Sequence, residues 1–139
     1  MDEVSTNLKL MRLLRRLGVV IMNKATPFKG QGRILGLLRN RGCAITQREL
    51  LDITEMKSSS LSEIVKKLEE NGYINKEVDK SDKRNMILSL TDKGLEESYR
   101  MRSISSSIAD NAFECLTEEE KESLIPVLEK LKEFWSVSL

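Results

Sequence analysis

The chain has 139 residues, 40% of them hydrophobic and 32% charged, which predicts one small folded domain with helical extensions rather than a disordered chain. It contains no histidine, so Ser-His triads and histidine-ligated zinc are excluded. Its two cysteines form no CxxC pair and cannot build a zinc site by themselves, and their scarcity is typical of a reducing compartment without a disulfide framework. The longest mainly apolar stretch, residues 8–22, is interrupted by four basic side chains. It is therefore neither a membrane span nor a signal sequence, and we expect a cytoplasmic protein without a membrane partner.

The formal net charge of +1 hides a gradient along the chain. Residues 1–48 hold ten basic and two acidic residues, whereas residues 109–139 hold three basic and eight acidic ones. The basic part could meet phosphates, or it could pair with the acidic end of the same or a partner chain. In the second case we expect Arg12, Arg15 and Arg16 to face the acidic run 118–122.

Two helices are predicted in the first part of the chain. Apolar residues recur there at helical spacing, which predicts a helix over residues 6–24. Pro27 follows, and proline can begin the next segment but cannot continue a helix. A second helix is expected over about residues 30–41, where Gly42 ends it.

Capping signals in the middle of the chain predict a pair of helices joined by a turn. Thr46 and Glu49 have the spacing of a capping box, in which both side chains bond amides left free at a helix start. Ser60 and Glu63 have the same spacing, although neighbouring serines leave the cap residue open. The expected segments are a helix over residues 47–54, a turn over 55–58, and a helix that Asn71-Gly72 ends.

After Gly72 the hydrophobic period changes from that of a helix to that of a strand. Strands are predicted over residues 73–78 and 85–90. The polar, charged segment 79–84 joins them, and it is typical of a hairpin tip in solvent. Residues 30–90 therefore predict a helix-turn-helix followed by a β-hairpin wing.

Two further helices are predicted at the end of the chain. Thr91 is expected to cap a long helix reaching about Leu116, and Thr117 with Glu120 forms a third capping box. Pro126 lies inside the last helix and should kink or restart it. Cys115 stands between apolar residues at the predicted helix end, which favours burial.

Side chains suited to nucleic acid cluster on the second helix of the pair and on the hairpin tip. Small hydroxylated residues at a helix start permit close approach to phosphates or base edges. Basic residues at a hairpin tip fit a narrow groove, whose negative potential attracts arginine. The alternative is an ordinary solvated surface. The candidates are Lys57, Ser58, Ser59, Ser60, Ser62, Glu63, Lys66 and Lys67 on the helix, and Lys80, Lys83 and Arg84 on the hairpin.

Residues 79–94 resemble the wing signature of the MarR-type winged helix-turn-helix regulators. That pattern has an Asp, a spacer, an Arg, a short strand and then Leu-Thr-x-x-Gly, and residues 68–74 are similar to the end of the family's recognition helix. The resemblance spans essentially the whole chain. It implies a mainly α fold with a small β-hairpin wing, in which N- and C-terminal dimerisation helices flank the winged helix-turn-helix. The expected parts are a dimerisation helix (1–29), the DNA-binding domain (30–90) and C-terminal dimerisation helices (91–139).

The resemblance implies a homodimeric transcription factor that binds double-stranded DNA, usually a repressor released by a small ligand or by oxidation. By analogy, Arg84 enters the minor groove, Asp82 orients it, and Thr46 and Gln47 meet the DNA backbone. Glu63 departs from the pattern, since many members carry a basic residue there. The implied DNA-binding residues are Thr46, Gln47, Lys57, Ser58, Ser59, Ser60, Ser62, Lys66, Lys80, Asp82, Lys83 and Arg84.

A dimer is also expected from the residues themselves. The first helix and the last two carry broad apolar faces, and one small winged domain cannot cover all three. An isologous interface would bury them. Two recognition helices would then meet half-sites about 10 bp apart, or a multiple of that, on a pseudo-palindrome.

Three alternatives to a ligand-controlled DNA binder can be weighed. An enzyme has no residues to support it, since there is no histidine, metal cluster or Gly-rich phosphate loop, and no cofactor is expected. A winged helix that binds protein would have little need of the basic hairpin tip. Redox sensing would need an exposed thiol of lowered pKa, for which Cys43, near Arg39 and Arg41, is the better candidate.

Overall fold

The computed structural model describes residues 3–139. Six helices and three strands lie in this range, which confirms the predicted mainly α fold with a small wing. The strands form one antiparallel sheet in the order β1-β3-β2. The elements are α1 (Thr6–Lys24), α2 (Gln31–Asn40), β1 (Ala44–Thr46), α3 (Gln47–Thr54), α4 (Ser58–Glu70), β2 (Ile74–Val78), β3 (Met86–Leu90), α5 (Asp92–Ala112) and α6 (Glu118–Ser138).

Two of the three predicted capping signals act at helix starts. At α6 the complete box forms, because the Thr117 hydroxyl accepts from the Glu120 amide and the Glu120 carboxylate accepts from the Thr117 amide. At α3 the Thr46 hydroxyl accepts from the Glu49 amide at 3.1 Å. The proposed box at Ser60 is wrong, because α4 already starts at Ser58 and its N-cap residue is Lys57.

The sheet contains one strand that the sequence did not predict. β2 and β3 form the expected hairpin, with Ile74 opposite Leu90 at its base and Val78 opposite Met86 near its tip. β1 pairs with the other edge of β3 and places Ile45 opposite Leu88. β3 is therefore paired on both sides, and the wing is joined to the helix pair along its β3 side, since β1 leads directly into α3.

A single apolar core joins the helix pair to the sheet. Its side chains come from one face of each helix and from the inward positions of the strands, as expected from the helical and strand periods of the apolar residues. Its buried members are Ile34, Leu35, Leu38, Ile45, Leu50, Leu61, Val65, Leu68, Ile74, Leu88 and Met101.

The last part of the chain differs from expectation in three places. α5 ends at Ala112, and short turns continue to Leu116. Cys115 is therefore on a turn and exposed, so the expected burial is wrong. α6 runs without interruption through Pro126, which does not restart the helix.

The chain divides into two compact units, Met1–Ser106 and Ser107–Leu139. α5 begins in the first unit and ends in the second. Within residues 3–139 no helix has the length and apolar character needed to cross a membrane. The expected division of the chain at residues 29 and 90 stays a prediction.

Candidate nucleic-acid interface

The start of α4 presents a polar face above a buried one. Leu61, Val65 and Leu68 are buried in the core and fix the orientation of the helix. The opposite face is exposed, because these positions fall between the apolar ones on a helical wheel. It carries every candidate from this helix: Lys57, Ser58, Ser59, Ser60, Ser62, Glu63, Lys66 and Lys67. Glu63 lies 3.9 Å from the Lys67 ammonium, so its carboxylate is paired within the helix.

α3 is held against α4 at their N-terminal ends. The Gln47 amide nitrogen donates to the Ser62 hydroxyl at 3.4 Å and links the two helices. Thr46 is half-buried, and its hydroxyl also donates to the Glu49 carboxylate at 3.1 Å. The structure thus uses Thr46 first as a cap, which fixes the direction of α3.

The tip of the wing is closed by hydrogen bonds that the carboxylate and amide of Asp79 form with neighbouring residues. Asp79 accepts from both the amide and the hydroxyl of Ser81, at 2.9 and 2.7 Å. These bonds stabilise the charged carboxylate and lower the pKa of Asp79 below 3.8. The amide of Asp79 donates to the Asn85 carbonyl at 2.9 Å, so the tip is a defined turn. Lys80 and Lys83 extend from this turn and are exposed.

Arg84 and Asp82 are in contact at the base of this turn. One carboxylate oxygen of Asp82 accepts from the Arg84 amide at 3.1 Å and from its Nε at 3.3 Å. The Arg84 side chain is nevertheless 92% exposed. Asp82 therefore sets the direction of the guanidinium, and most of its donors face outward.

A groove separates the helix pair from the wing, and we call it the wing groove. It brings together four predicted residues, namely Gln47, Ser58, Asp82 and Arg84, from separate elements. Two basic residues that the sequence analysis missed, Arg48 of α3 and Lys76 of β2, also line it. The full lining is Gln47, Arg48, Leu51, Ser58, Leu61, Lys76, Asp82, Arg84, Asn85 and Met86.

The other predicted residues lie outside this groove. Ser59, Ser60 and Lys66 are exposed on α4, and Lys80 and Lys83 are exposed at the wing tip. They extend the same polar surface at its two ends. Alternation along β2 could have placed Lys76 on the face that carries Ile74, but it gives no signal for Arg48.

A second cavity lies between α2 and α5, and we call it the α2–α5 cavity. Its lining is Ala25, Thr26, Pro27, Phe28, Gly30, Gly32, Arg33, Gly36, Arg39, Asn40, Ser98, Met101, Arg102 and Ser105. Arg39 crosses from α2 to α5, where its guanidinium donates to the Ser98 hydroxyl at 3.1 Å and lies 4.7 Å from the Tyr99 ring centre. Three arginines therefore give this cavity a positive wall.

Cys43 lies between α2 and β1 and is half-buried. Its φ of 69° is in the left-handed region, directly after Gly42 with a φ of 78°. These two residues form the turn that leads the chain from α2 into the sheet, so Cys43 has a structural role in this turn.

Comparison with known proteins agrees with this geometry. The sequence model of the MarR family matches residues 29–86 of this chain. The transcriptional regulator BilQ of Clostridium symbiosum is 33% identical over 108 residues, which cover 73% of this chain and 74% of the relative. A regulator that senses organohalides, solved with 2,4-dichlorophenol bound, superimposes with a TM-score of 0.82 at 23% identity over 94% of this chain and 81% of its own. PcaV of Streptomyces coelicolor, solved with its natural ligand, gives a TM-score of 0.76 at 21% identity over 96% of this chain and 98% of its own.

The relatives are transcriptional regulators and not enzymes, in agreement with the residues present here. The solved structures are distant in sequence, so they establish the winged helix fold. The family match covers the helix pair and most of the wing, where the exposed serines, Asp82 and Arg84 lie. The chain therefore belongs to the MarR family and is a DNA-binding transcriptional regulator.

Proposed function

We propose that the protein is a homodimeric repressor that binds a pseudo-palindromic operator and is released by a small molecule. The main observation in support is that Ser58 of α4 and Arg84 of the wing border the same groove. A helix that enters the major groove and a basic wing that enters the adjacent minor groove would need this arrangement. The polar surface of α4 then supplies contacts to bases, and the wing supplies affinity and register.

Each predicted residue takes a separate role in this proposal. The serines of α4 approach base edges, and the exposed lysines of α4 and of the wing tip contact phosphates. Arg84 inserts into the minor groove in the orientation that Asp82 sets. Thr46 and Gln47 present the start of α3 to the backbone, where helix amides favour phosphate.

Exposed apolar surface supports the homodimer. α1 exposes more than half of the Leu13 and Leu17 side chains, and α6 exposes 64% of Phe134 and 85% of Val137. Monomeric proteins rarely leave such rows of large apolar side chains in water. A second copy that covers them would make residues 1–29 and 91–139 the dimerisation parts, with the helix pair and wing between them.

The α2–α5 cavity supports control by a small molecule. Phe28 and Met101 offer apolar surface, and Arg33, Arg39 and Arg102 offer positive charge, with no acidic residue among those that line it. We therefore expect a small anionic ligand with an apolar body. The relatives solved with 2,4-dichlorophenol or with a natural ligand make a ligand-responsive regulator a reasonable expectation.

The central experiment is footprinting of the purified protein on the DNA upstream of its own gene, followed by fluorescence anisotropy at several salt concentrations. We expect a protected pseudo-palindrome and a dimer by sedimentation. Affinity should fall steeply as salt rises, because phosphate contacts release counterions.

Two variants test the role of the wing in that assay. Arg84→Ala should lose most affinity on all sequences, whereas Lys130→Ala on the exposed surface of α6 should keep it. A protein that binds no duplex at low salt, or whose binding does not respond to salt, would contradict the proposal. That result would favour a winged helix that binds protein.

A further inference from the structure

We propose that Arg48 and Lys76 together hold the sugar-phosphate strand that runs between the two DNA grooves. This inference rests on the proposed binding mode, with α4 in the major groove and the wing in the adjacent minor groove. It assigns a role to two residues that neither the wing signature nor the exposed face of α4 includes. Both line the wing groove.

The charge of the wing groove is positive and uncompensated. Arg48, Lys76 and Arg84 face a single carboxylate among the lining residues, that of Asp82. Asp82 is already engaged by Arg84 at 3.3 Å. Among residues 3–139 the ion pairs involve Lys67, Arg84, Arg100 and Lys121, so neither Arg48 nor Lys76 has an acidic partner. Two unpaired cations on one groove attract an anion.

The position of Lys76 on β2 puts it on the face of the sheet that carries core residues. β2 residues alternate between the two faces of the sheet, so Lys76 shares the face of buried Ile74. It stands opposite Leu88, which is fully buried. Its side chain therefore starts on the face that carries Ile74, and Lys76 is an exposed residue that lines the wing groove.

Both cations are attached to backbone that the fold fixes. Arg48 is the second residue of α3, whose start the Thr46 cap defines. Lys76 is the central residue of a five-residue strand paired along its whole length with β3. Leu61 lies below them and is 1% exposed, so the floor of the groove belongs to the core.

The geometry of DNA indicates that the wing groove holds a sugar-phosphate strand. A major groove about 12 Å wide and a minor groove about 6 Å wide are separated by one sugar-phosphate strand. A protein with α4 in one groove and the wing in the next must straddle that strand. The surface between α4 and the wing is the wing groove, so its cations meet phosphates, which position the protein and carry no base preference.

Arg48→Gln and Lys76→Gln, alone and combined, test this inference by fluorescence anisotropy. The probes are a labelled duplex of about 30 bp with arbitrary sequence and the footprinted upstream DNA, each titrated at several salt concentrations. Each single variant should weaken binding to both probes by the same factor, on the order of tenfold. The slope of log K against log salt should become shallower by about 0.9 for each phosphate that the variant no longer neutralises. The ratio of affinities for the two probes should not change.

Controls separate this role from a structural one. Lys130→Gln on α6 should leave the salt slope unchanged, and Lys76→Arg should restore it, because arginine keeps the charge. β2 is an edge strand, and an inward charge on an edge strand can simply prevent aggregation. In that case Lys76→Gln would aggregate while its soluble dimer kept the wild-type slope, which would overturn the inference.

The outcomes also distinguish this inference from the binding mode it rests on. If Arg84→Ala loses affinity while the Arg48 and Lys76 variants keep the wild-type slope, the inference is wrong and the binding mode stands. If Arg84→Ala has no effect either, the binding mode itself has failed, and the inference falls with it. Thermal melting of each variant at equal concentration verifies that the fold is intact.

Discussion

Gly94, the single glycine of the wing signature, should be difficult to replace by any residue with a side chain. It lies at the start of α5, and a Cβ atom built on it would stand 1.9 Å from the Tyr73 carbonyl oxygen and 3.0 Å from Leu90 Cδ1. Its φ is not in the left-handed region, so close approach and not conformational freedom requires glycine here. Gly94→Ala must push α5 away from the Tyr73 carbonyl, just before β2, by more than 1 Å to reach an ordinary contact.

The loss of folding free energy in Gly94→Ala depends on which atoms have to move. Overpacking a well-packed site costs about 1–3 kcal/mol, and the upper end applies because the obstacle is backbone and not a flexible side chain. Alanine regains at most about 1 kcal/mol of helix propensity. We therefore expect Gly94→Ala to lower the free energy of unfolding by about 2 kcal/mol or more, a fall in Tm of roughly 6 °C.

Gly36→Ala is the matched control for this measurement. Gly36 is also helical, and its nearest neighbour would be a flexible arginine nitrogen at 3.9 Å, so the substitution should stabilise α2 by about 0.5–1 kcal/mol. Urea denaturation followed by circular dichroism, at one protein concentration, compares both variants with the parent. A Gly94→Ala protein within about 0.5 kcal/mol of the parent at unchanged m value would refute the close-approach argument.

Three other predictions concern the caps, the wing tip and the dimer. Thr117→Ala removes the hydroxyl half of the α6 capping box and should cost about 0.5–2 kcal/mol in urea denaturation, whereas exposed Ser103→Ala should be nearly neutral; equal effects would contradict the cap. Ser81→Ala should raise the pKa of Asp79 toward 3.8 in an NMR titration, and no rise would mean that the bond from the Ser81 hydroxyl is not a cause of the lowered pKa. Because the folded pKa is lowered, the contribution of Asp79 to stability is present above about pH 4 and disappears as the pH falls through the lowered pKa. Leu17→Glu should convert the proposed dimer to monomer in sedimentation without melting the helix pair, and an unchanged dimer would exclude this face of α1 from the interface.

The helices could be predicted from sequence because their signals are local. The predicted bounds of α1 and α3 agree with the structure, and both have a hydrophobic period and a terminal signal within a few residues. The cap of α4 was missed, since a run of three serines offers several equivalent starts. Local chemistry could not choose among them, whereas packing of Leu61 and Val65 in the core could.

The sheet and the wing groove depend on contacts between distant residues, and this limited the prediction. β1 has three residues, too few for a recognisable alternation, and it exists because it pairs with residues 87–89. Arg48 and Lys76 are 28 positions apart and look like ordinary surface charges in the sequence. Their shared groove appears only when α3 and β2 pack on the same core. The exposed serines were predictable, because one helical period defines both faces of α4.

The wing signature is long because its parts do different physical work at the junction of three elements. Asp79 closes the tip, Asp82 orients Arg84, and Gly94 lets α5 approach the Tyr73 carbonyl just before β2. Thr91 joins the elements, since its hydroxyl accepts from the Gly94 amide at 3.0 Å and donates to the Gly72 carbonyl at 2.7 Å.

This junction gives the proposed ligand a route to the DNA. The Lys93 ammonium adds a bond to the Asn71 carbonyl at 2.8 Å, so the start of α5 is tied to the end of α4. Ser98 and Met101 of the same helix line the α2–α5 cavity within the next three turns. A ligand that displaces this part of α5 therefore acts on a helix whose start is bonded to the end of the proposed recognition helix. In the proposed function, a shift of α5 would therefore move the end of α4, because Lys93 and Thr91 bond to the carbonyls of Asn71 and Gly72.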